Sequence, residues 1–188
     1  MGFPQGEGRS WARLATLVTL VTVAAVVARF GLDPQTPAFC YLAALGVPLA
    51  FIDVREHRLP DALTLPSYPA SLLLLGGAAP FVPGGAGRFG HALIGMAAAV
   101  ALFFLLLLAV PSGLGMGDVK LAGLLGAYLG WLGATAFVAG LLAAWLLAAV
   151  TGLGLMAAGR ASRKTQLPFG PFLIAATVGV ALAVGVPG

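Results

Sequence analysis

The chain has 188 residues, of which 60% are hydrophobic and only 9% are charged, and its mean hydropathy is +1.03. Soluble domains carry about a quarter charged residues, so this composition excludes an ordinary water-soluble globular protein. The ten Lys and Arg residues form no basic cluster of the kind that binds nucleic acid. The single cysteine, Cys40, excludes an internal disulfide framework and a multi-cysteine zinc site.

Apolar segments follow one another along the chain with short connections. They predict seven helices, over residues 11–30, 38–54, 63–82, 91–110, 119–133, 134–158 and 169–186. A spanning helix needs about 20 residues, so the stretch 120–158 is too long for one span, and its natural break is the glycine-containing region 130–133. The sequence therefore predicts an all-α, polytopic membrane helix bundle of six to seven transmembrane helices, with residues 1–188 forming a single membrane-embedded domain.

The basic residues predict the orientation of this bundle. If the N-terminus is cytoplasmic, seven spans place only Arg29 and Arg88 outside. The basic residues then on the cytoplasmic side are Arg9, Arg13, Arg55, Arg58, Lys120, Arg160, Arg163 and Lys164. The positive-inside rule favours this arrangement. The first segment follows basic residues and ends among small ones, so a cleaved secretory signal is an alternative for it.

Small residues recur at a spacing of four in the later helices. Gly126 with Gly130, and Gly140 with Ala144, have the small-xxx-small pattern that lets helix backbones approach closely in a membrane. We expect these positions to serve helix packing.

Acidic residues gather on the predicted cytoplasmic side. Asp53, Glu56 and Asp61 surround the connection between the second and third helices, and Asp118 begins the fifth. Ionisable groups are costly in membrane helices, so those present are candidates for function. Because Asp53 and Asp118 each adjoin an apolar run, two carboxylates from separate helices could meet at this face.

The segment 115–118 reads GMGD, a GxGD motif. Its glycines permit close backbone approach and let water or an extended peptide reach the carboxylate. The alternative is a simple turn in which Asp118 caps a helix N-terminus. For Asp53, the alternative is a solvated residue beside Arg55 and Arg58.

The motifs together carry more information than any one of them. Residues 53–61 read DVREHRLPD, 63–66 read LTLP, 115–120 read GMGDVK and 168–171 read PFGP. In order and spacing this set resembles the type IV prepilin peptidase family, over roughly residues 46–172. That family consists of polytopic membrane aspartyl proteases of the GxGD type.

The resemblance implies a role for individual residues. Asp53 and Asp118 fall on the catalytic aspartates, which would hold a catalytic water between them as a coupled pair, without metal or cofactor. Asp61 stands where relatives often have Asn. Lys120 is expected first as a lipid headgroup anchor and second as a site residue. The supporting residues implied are Gly115, Gly117, Lys120, Pro168 and Gly170, and the acids expected to attract a basic leader are Glu56 and Asp61.

The resemblance also implies the substrate and the location. Family substrates are prepilin or pseudopilin precursors with a short basic leader followed by a hydrophobic helix, cut after a Gly at the cytoplasmic boundary. The expected location is the bacterial inner membrane, multi-pass in the lipid bilayer, with the active site toward the cytoplasm. Many members also methylate the new N-terminus and carry an insert with two CxxC pairs. That insert has no counterpart here, as in short forms serving tight-adherence pili, so methyl transfer is left open, as is homo-oligomer formation.

Two other functions compete with the peptidase. In a small proton-coupled transporter or an assembly subunit, Asp53 and Asp118 would relay protons or pair with Arg. Against this, both acids lie at one end of the bundle, whereas transporter sites generally lie near the midplane. A non-catalytic scaffold using the small-residue faces would leave the motif set unexplained.

Overall fold

The computed structural model describes residues 5–109, 114–160 and 167–185, with side chains from residue 10 onward. All regular structure in these ranges is helical. The seven α-helices are α1 Gln5–Phe30, α2 Thr36–Glu56, α3 Asp61–Ala78, α4 Gly85–Ala109, α5 Met116–Leu132, α6 Ala134–Ala157 and α7 Gly170–Val184. A 3-10 turn, Ala79–Phe81, continues α3. The predicted all-α bundle of seven helices is confirmed; Arg163 and Lys164 lie outside the described residues.

Within the described ranges, five helices are long and apolar enough to cross a membrane: α1, α2, α3 with its 3-10 turn, α4 and α6. The other two, α5 and α7, have 17 and 15 residues. Residues 121–132 of α5 are all buried, so this helix forms the centre of the bundle. The chain is therefore a multi-pass membrane protein built around α5.

Several helices begin or end beyond the predicted apolar segments. Helix α1 begins at Gln5, α4 begins at Gly85, and α2 continues to Glu56. Hydropathy marks only the apolar part of a helix, whereas the backbone hydrogen bonds continue through polar turns at its ends. The predicted break between α5 and α6 is confirmed, because Gly133 separates them with φ of 114°, a left-handed conformation that favours glycine.

The closest helix pair is α4 and α5, which pack through glycines. A Cβ added to Gly126 would lie 2.6 Å from the Gly95 carbonyl oxygen and 2.6 Å from Ala99 Cβ, and a Cβ on Gly130 would collide with the His91 carbonyl. Only glycine allows this approach, which confirms the packing role expected of the small-residue spacing.

Helix α3 contains Pro66 and Pro69, and hydroxyl groups connect it to its neighbours. Three tyrosines form these attachments: Tyr41 Oη donates to Ser67 Oγ at 3.1 Å, Tyr68 Oη to the Lys120 carbonyl at 2.5 Å, and Tyr128 Oη to Ser71 Oγ at 2.9 Å. Polar links of this kind hold helices together where lipid supplies no hydrophobic drive. They fix α3 against α2 and α5.

The two ends of the bundle are distinguished by long-range contacts. Trp11 of α1 meets Phe51 of α2 with ring centroids 6.1 Å apart, so the start of α1 adjoins the end of α2. At the other end, Arg29 of α1 reaches the last turn of α7. The start of α7 therefore shares the end of the bundle with the last turn of α2. The start of α5 lies there too, because its residues line one pocket with Asp53.

Candidate active site

Asp53 lies in the last turn of α2, where His57 closes the helix. His57 adopts a left-handed conformation with φ of 49°, and its backbone N–H donates to the Asp53 carbonyl at 2.9 Å. The Asp53 side chain is buried, and its Oδ2 accepts a hydrogen bond from the backbone N–H of Gly170 at 3.1 Å. Gly170 begins α7, and the first N–H groups of a helix have no intrahelical partner. The N-terminus of α7 therefore supplies a donor and a partial positive charge to the Asp53 carboxylate.

Asp118 is the third residue of α5. Its Oδ2 accepts a hydrogen bond from the backbone N–H of Gly115 at 2.9 Å, so the carboxylate caps the helix to which it belongs. The cap does not remove it from solvent contact, because the side chain is only partly buried. Asp118 thus has the capping role considered from the sequence and also a place in the pocket described next.

Both aspartates line one open pocket of about 380 Å³ at this end of the bundle. The residues that line the pocket are Asp53, His57, Arg58, Leu59, Asp61, Gly115, Met116, Gly117, Asp118 and Lys120. Two carboxylates that share a pocket resist ionising together, and such a pair can supply one base and one acid to a bound water.

The two motif glycines serve the pocket differently. A Cβ on Gly117 would lie 3.2 Å from Leu59 Cβ, a tight contact, whereas a Cβ on Gly115 would make ordinary contacts with Asp118 Oδ2 at 3.6 Å and with the Gly117 backbone nitrogen at 3.9 Å. Gly117 therefore lets the α2–α3 connection approach the start of α5. This approach brings the segment after Asp53 against the segment that carries Asp118.

Lys120 and Asp61 form an ion pair in the pocket wall. Lys120 Nζ lies 2.7 Å from Asp61 Oδ1, and the side chains are 29% and 58% exposed respectively. Lys120 was expected first as a headgroup anchor, but its long side chain reaches the first residue of α3. Its ammonium therefore belongs to the pocket.

Three of the expected site residues, Glu56, Pro168 and Gly170, do not line the pocket. Glu56 lies in a separate groove of about 200 Å³ between α1 and α2, together with Trp11 and Arg55. Pro168 precedes α7, and Gly170, two residues later, is connected to the site through its hydrogen bond to Asp53. Across the described residues, no three His, Cys, Asp or Glu side chains converge as metal ligands would.

The structure also adds pocket residues that the sequence reasoning did not assign to the site. They are His57, Arg58, Leu59 and Met116. Each lies inside a motif: three belong to the segment 53–61, and Met116 is the variable residue of the GxGD motif. Their membership of the two motifs is a signal that could have placed them in the site.

The chain is also similar in sequence to known proteins. Residues 39–184 match the model of the type IV leader peptidase family. The chain is 37% identical over 171 residues to a prepilin leader peptidase/N-methyltransferase of Aeromonas salmonicida. The aligned region covers 86% of this chain and 55% of the relative. A protein of the same name from Aeromonas hydrophila is 36% identical over 165 residues, or 85% of this chain and 54% of the relative.

A shorter relative matches over nearly its whole length. Leader peptidase HopD of Escherichia coli is 34% identical over 146 residues, which cover 77% of this chain and 92% of that protein. By contrast, the chain spans about half the length of the relatives named as peptidase/N-methyltransferases. No solved structure matches the chain. The family match covers more than half of the chain, and the relatives agree with it, so the chain belongs to the type IV leader peptidase family.

Proposed function

We propose that the chain is a membrane aspartic endopeptidase that removes the leader peptide from prepilin-like precursors, either pilins or pseudopilins. The observation that carries this proposal is the shared pocket of Asp53 and Asp118, carboxylates from the end of α2 and the start of α5. Membership of the leader peptidase family supports this substrate class.

The chemistry needs only the two carboxyl groups and a water molecule. One ionised carboxylate accepts a proton from the water as it attacks the scissile carbonyl, and the protonated partner donates to the departing amine. No acyl-enzyme forms, because water attacks the carbonyl directly. The N–H of Gly170 holds Asp53 in place during these steps, and the N–H of Gly115 does the same for Asp118.

The distribution of charge supports a cytoplasmic site in a bacterial inner membrane. Arg13, Arg55 and Arg58 lie at the end of the bundle that holds the pocket, whereas Arg29 and Arg88 lie toward the other end. The positive-inside rule assigns the more basic end to the cytoplasm. A leader peptide with Lys or Arg residues would meet the active site on that side.

The test is co-expression of the chain with a tagged prepilin-like precursor from the same genome. We expect the wild type to shorten the precursor after a Gly, as read by gel shift and N-terminal mass. Asp53→Asn and Asp118→Asn should each lower cleavage by about a hundredfold or more, the usual loss when a general acid or base is removed. The same mass reports whether a methyl group is added.

The matched control is Asp33→Asn, an isosteric change in the connection between α1 and α2, outside the pocket. All variants are quantified in the membrane fraction before activities are compared. Normal cleavage by folded Asp53→Asn or Asp118→Asn protein would refute the catalytic assignment. If the wild type leaves several candidate precursors uncut, the transporter or scaffold becomes the better explanation.

A further inference from the structure

The ion pair between Lys120 and Asp61 lies beside the two aspartates but serves neither of them directly. Its atoms are 2.7 Å apart, and both residues line the pocket that contains Asp53 and Asp118. More than half of the Asp61 side chain is exposed. A cation arriving from solvent can therefore reach the Asp61 carboxylate without any rearrangement of the bundle.

The backbone of Lys120 is fixed within the bundle, whereas its ammonium is partly exposed to solvent. Its carbonyl accepts a hydrogen bond from Tyr68 Oη, and the residue belongs to the buried central helix α5. The side chain is 29% exposed, so the ammonium can turn to water if it leaves Asp61. If another cation replaces Lys120 at Asp61, the carboxylate keeps a partner and the Lys120 ammonium is solvated by water. The exchange therefore costs little free energy.

The ammonium of Lys120 has the same chemistry as the side chain of a leader lysine. We propose that Asp61 binds a basic residue of the leader, and that Lys120 occupies this carboxylate in the free protein and is displaced when the leader arrives. The inference rests on the proposed function and adds a specificity residue and an internal competitor to it. Glu56, the other acid expected to attract the leader, lies in a different groove and is not part of the exchange.

The experiment measures selectivity for charge. Purified protein in detergent cleaves two precursors that differ only in the leader, one with its Lys and Arg residues intact and one with all of them changed to Gln. The readout is the ratio of kcat/KM for the basic leader to kcat/KM for the neutral leader. Because a fold defect lowers both values together, the ratio reports recognition and not the amount of active protein.

The two partners should change this ratio in opposite directions. Asp61→Asn removes the acceptor, so the ratio should fall. Lys120→Met removes the competitor, so the ratio should rise by about twofold to fivefold, the range that a partly exposed ion pair supports. Lys120→Gln is the second variant if Lys120→Met is poorly folded, and it should raise the ratio in the same way.

Two controls separate competition from a general change in charge. Arg58→Gln removes another cation from the pocket wall and should raise the ratio less than Lys120→Met. In an Asp61→Asn background, Lys120→Met should have no further effect, because the acceptor for which it competes is gone.

The inference is overturned if Lys120→Met lowers the ratio or leaves it unchanged, or if Asp61→Asn leaves it unchanged. It is also overturned if Arg58→Gln raises the ratio as much as Lys120→Met does, or if Lys120→Met still raises it without Asp61. These outcomes all require cleavage, so they are distinct from failure of the proposed function, in which the wild type does not cut or the Asp53→Asn protein still does.

Discussion

The backbone N–H of Gly170 donates to the Asp53 carboxylate across 117 positions of sequence, at 3.1 Å. This bond joins the first residue of α7 to the last turn of α2, next to the pocket that Asp53 shares with Asp118. The contact is so close that a side chain at position 170 would displace the Asp53 carboxylate. A Cβ there would lie 2.6 Å from Asp53 Oδ2 and 3.2 Å from its Cγ.

We expect Gly170→Ala to impair cleavage strongly while the protein still inserts in the membrane. The added methyl must push the Asp53 carboxylate out of position, and misplacement of a catalytic group by about 1 Å can cost a hundredfold in rate. Steady-state cleavage of a precursor peptide measures the loss. Gly179→Ala is the control, because a Cβ at that position of α7 would meet nothing within 4 Å. Near-normal activity of Gly170→Ala would show that Asp53 does not need this position.

The two glycines of the GxGD motif should respond differently to alanine. Gly115→Ala adds a methyl in ordinary contact with Asp118 Oδ2, at 3.6 Å, and we expect less than a twofold change in kcat/KM. Gly117→Ala forces the methyl against Leu59 at 3.2 Å, so the start of α5 must shift relative to the α2–α3 connection. We expect a loss of about tenfold or more. The measurement compares kcat/KM of the two variants. A lower value for Gly115→Ala than for Gly117→Ala would contradict the packing role of Gly117.

Different parts of this site could be predicted to different extents. The sequence indicates that Asp53 and Asp118 could meet, because each ends or begins an apolar run on the same side, a pattern that sequence carries directly. The bond from Gly170 could not be derived in this way, because it depends on how α7 packs against α2. Lys120 was expected first at the lipid headgroups, since residues two apart on a helix do not face each other. Its long side chain instead reaches Asp61, and only the position of α3 reveals that partner.

Removal of the Tyr68 hydroxyl should weaken the attachment of α3. The hydroxyl donates to the Lys120 carbonyl, and a net hydrogen bond contributes about 1 kcal/mol to the free energy of unfolding. We therefore expect Tyr68→Phe to lower the free energy of unfolding by about 1 kcal/mol, which thermal unfolding in detergent measures. Leu73→Ala on the same helix is the control, because its side chain is 75% exposed and the change should have little effect. Equal stability of Tyr68→Phe and wild type would mean that the hydroxyl does not hold α3 to α5.

At the opposite end of the bundle, Arg29 closes α7. Its Nε donates to the Leu182 carbonyl at 2.9 Å and its Nη2 to the Val184 carbonyl at 3.2 Å. The last carbonyls of a helix have no intrahelical donors, and a positive charge there also favours the helix dipole. We expect Arg29→Met to lower the free energy of unfolding by about 1–2 kcal/mol, a value reduced for the exposure of the side chain.

Arg29→Lys should recover only part of this stability, because a single ammonium lacks the planar fork that reaches two carbonyls at once. Thermal unfolding in detergent measures both variants, with Arg13→Met at the other end of α1 as the control. A loss in Arg13→Met as large as that in Arg29→Met would mean that the effect comes from net charge. A loss confined to Arg29 would mean that α1 holds the end of α7 farthest from Gly170, and so helps to fix the helix whose first N–H holds Asp53.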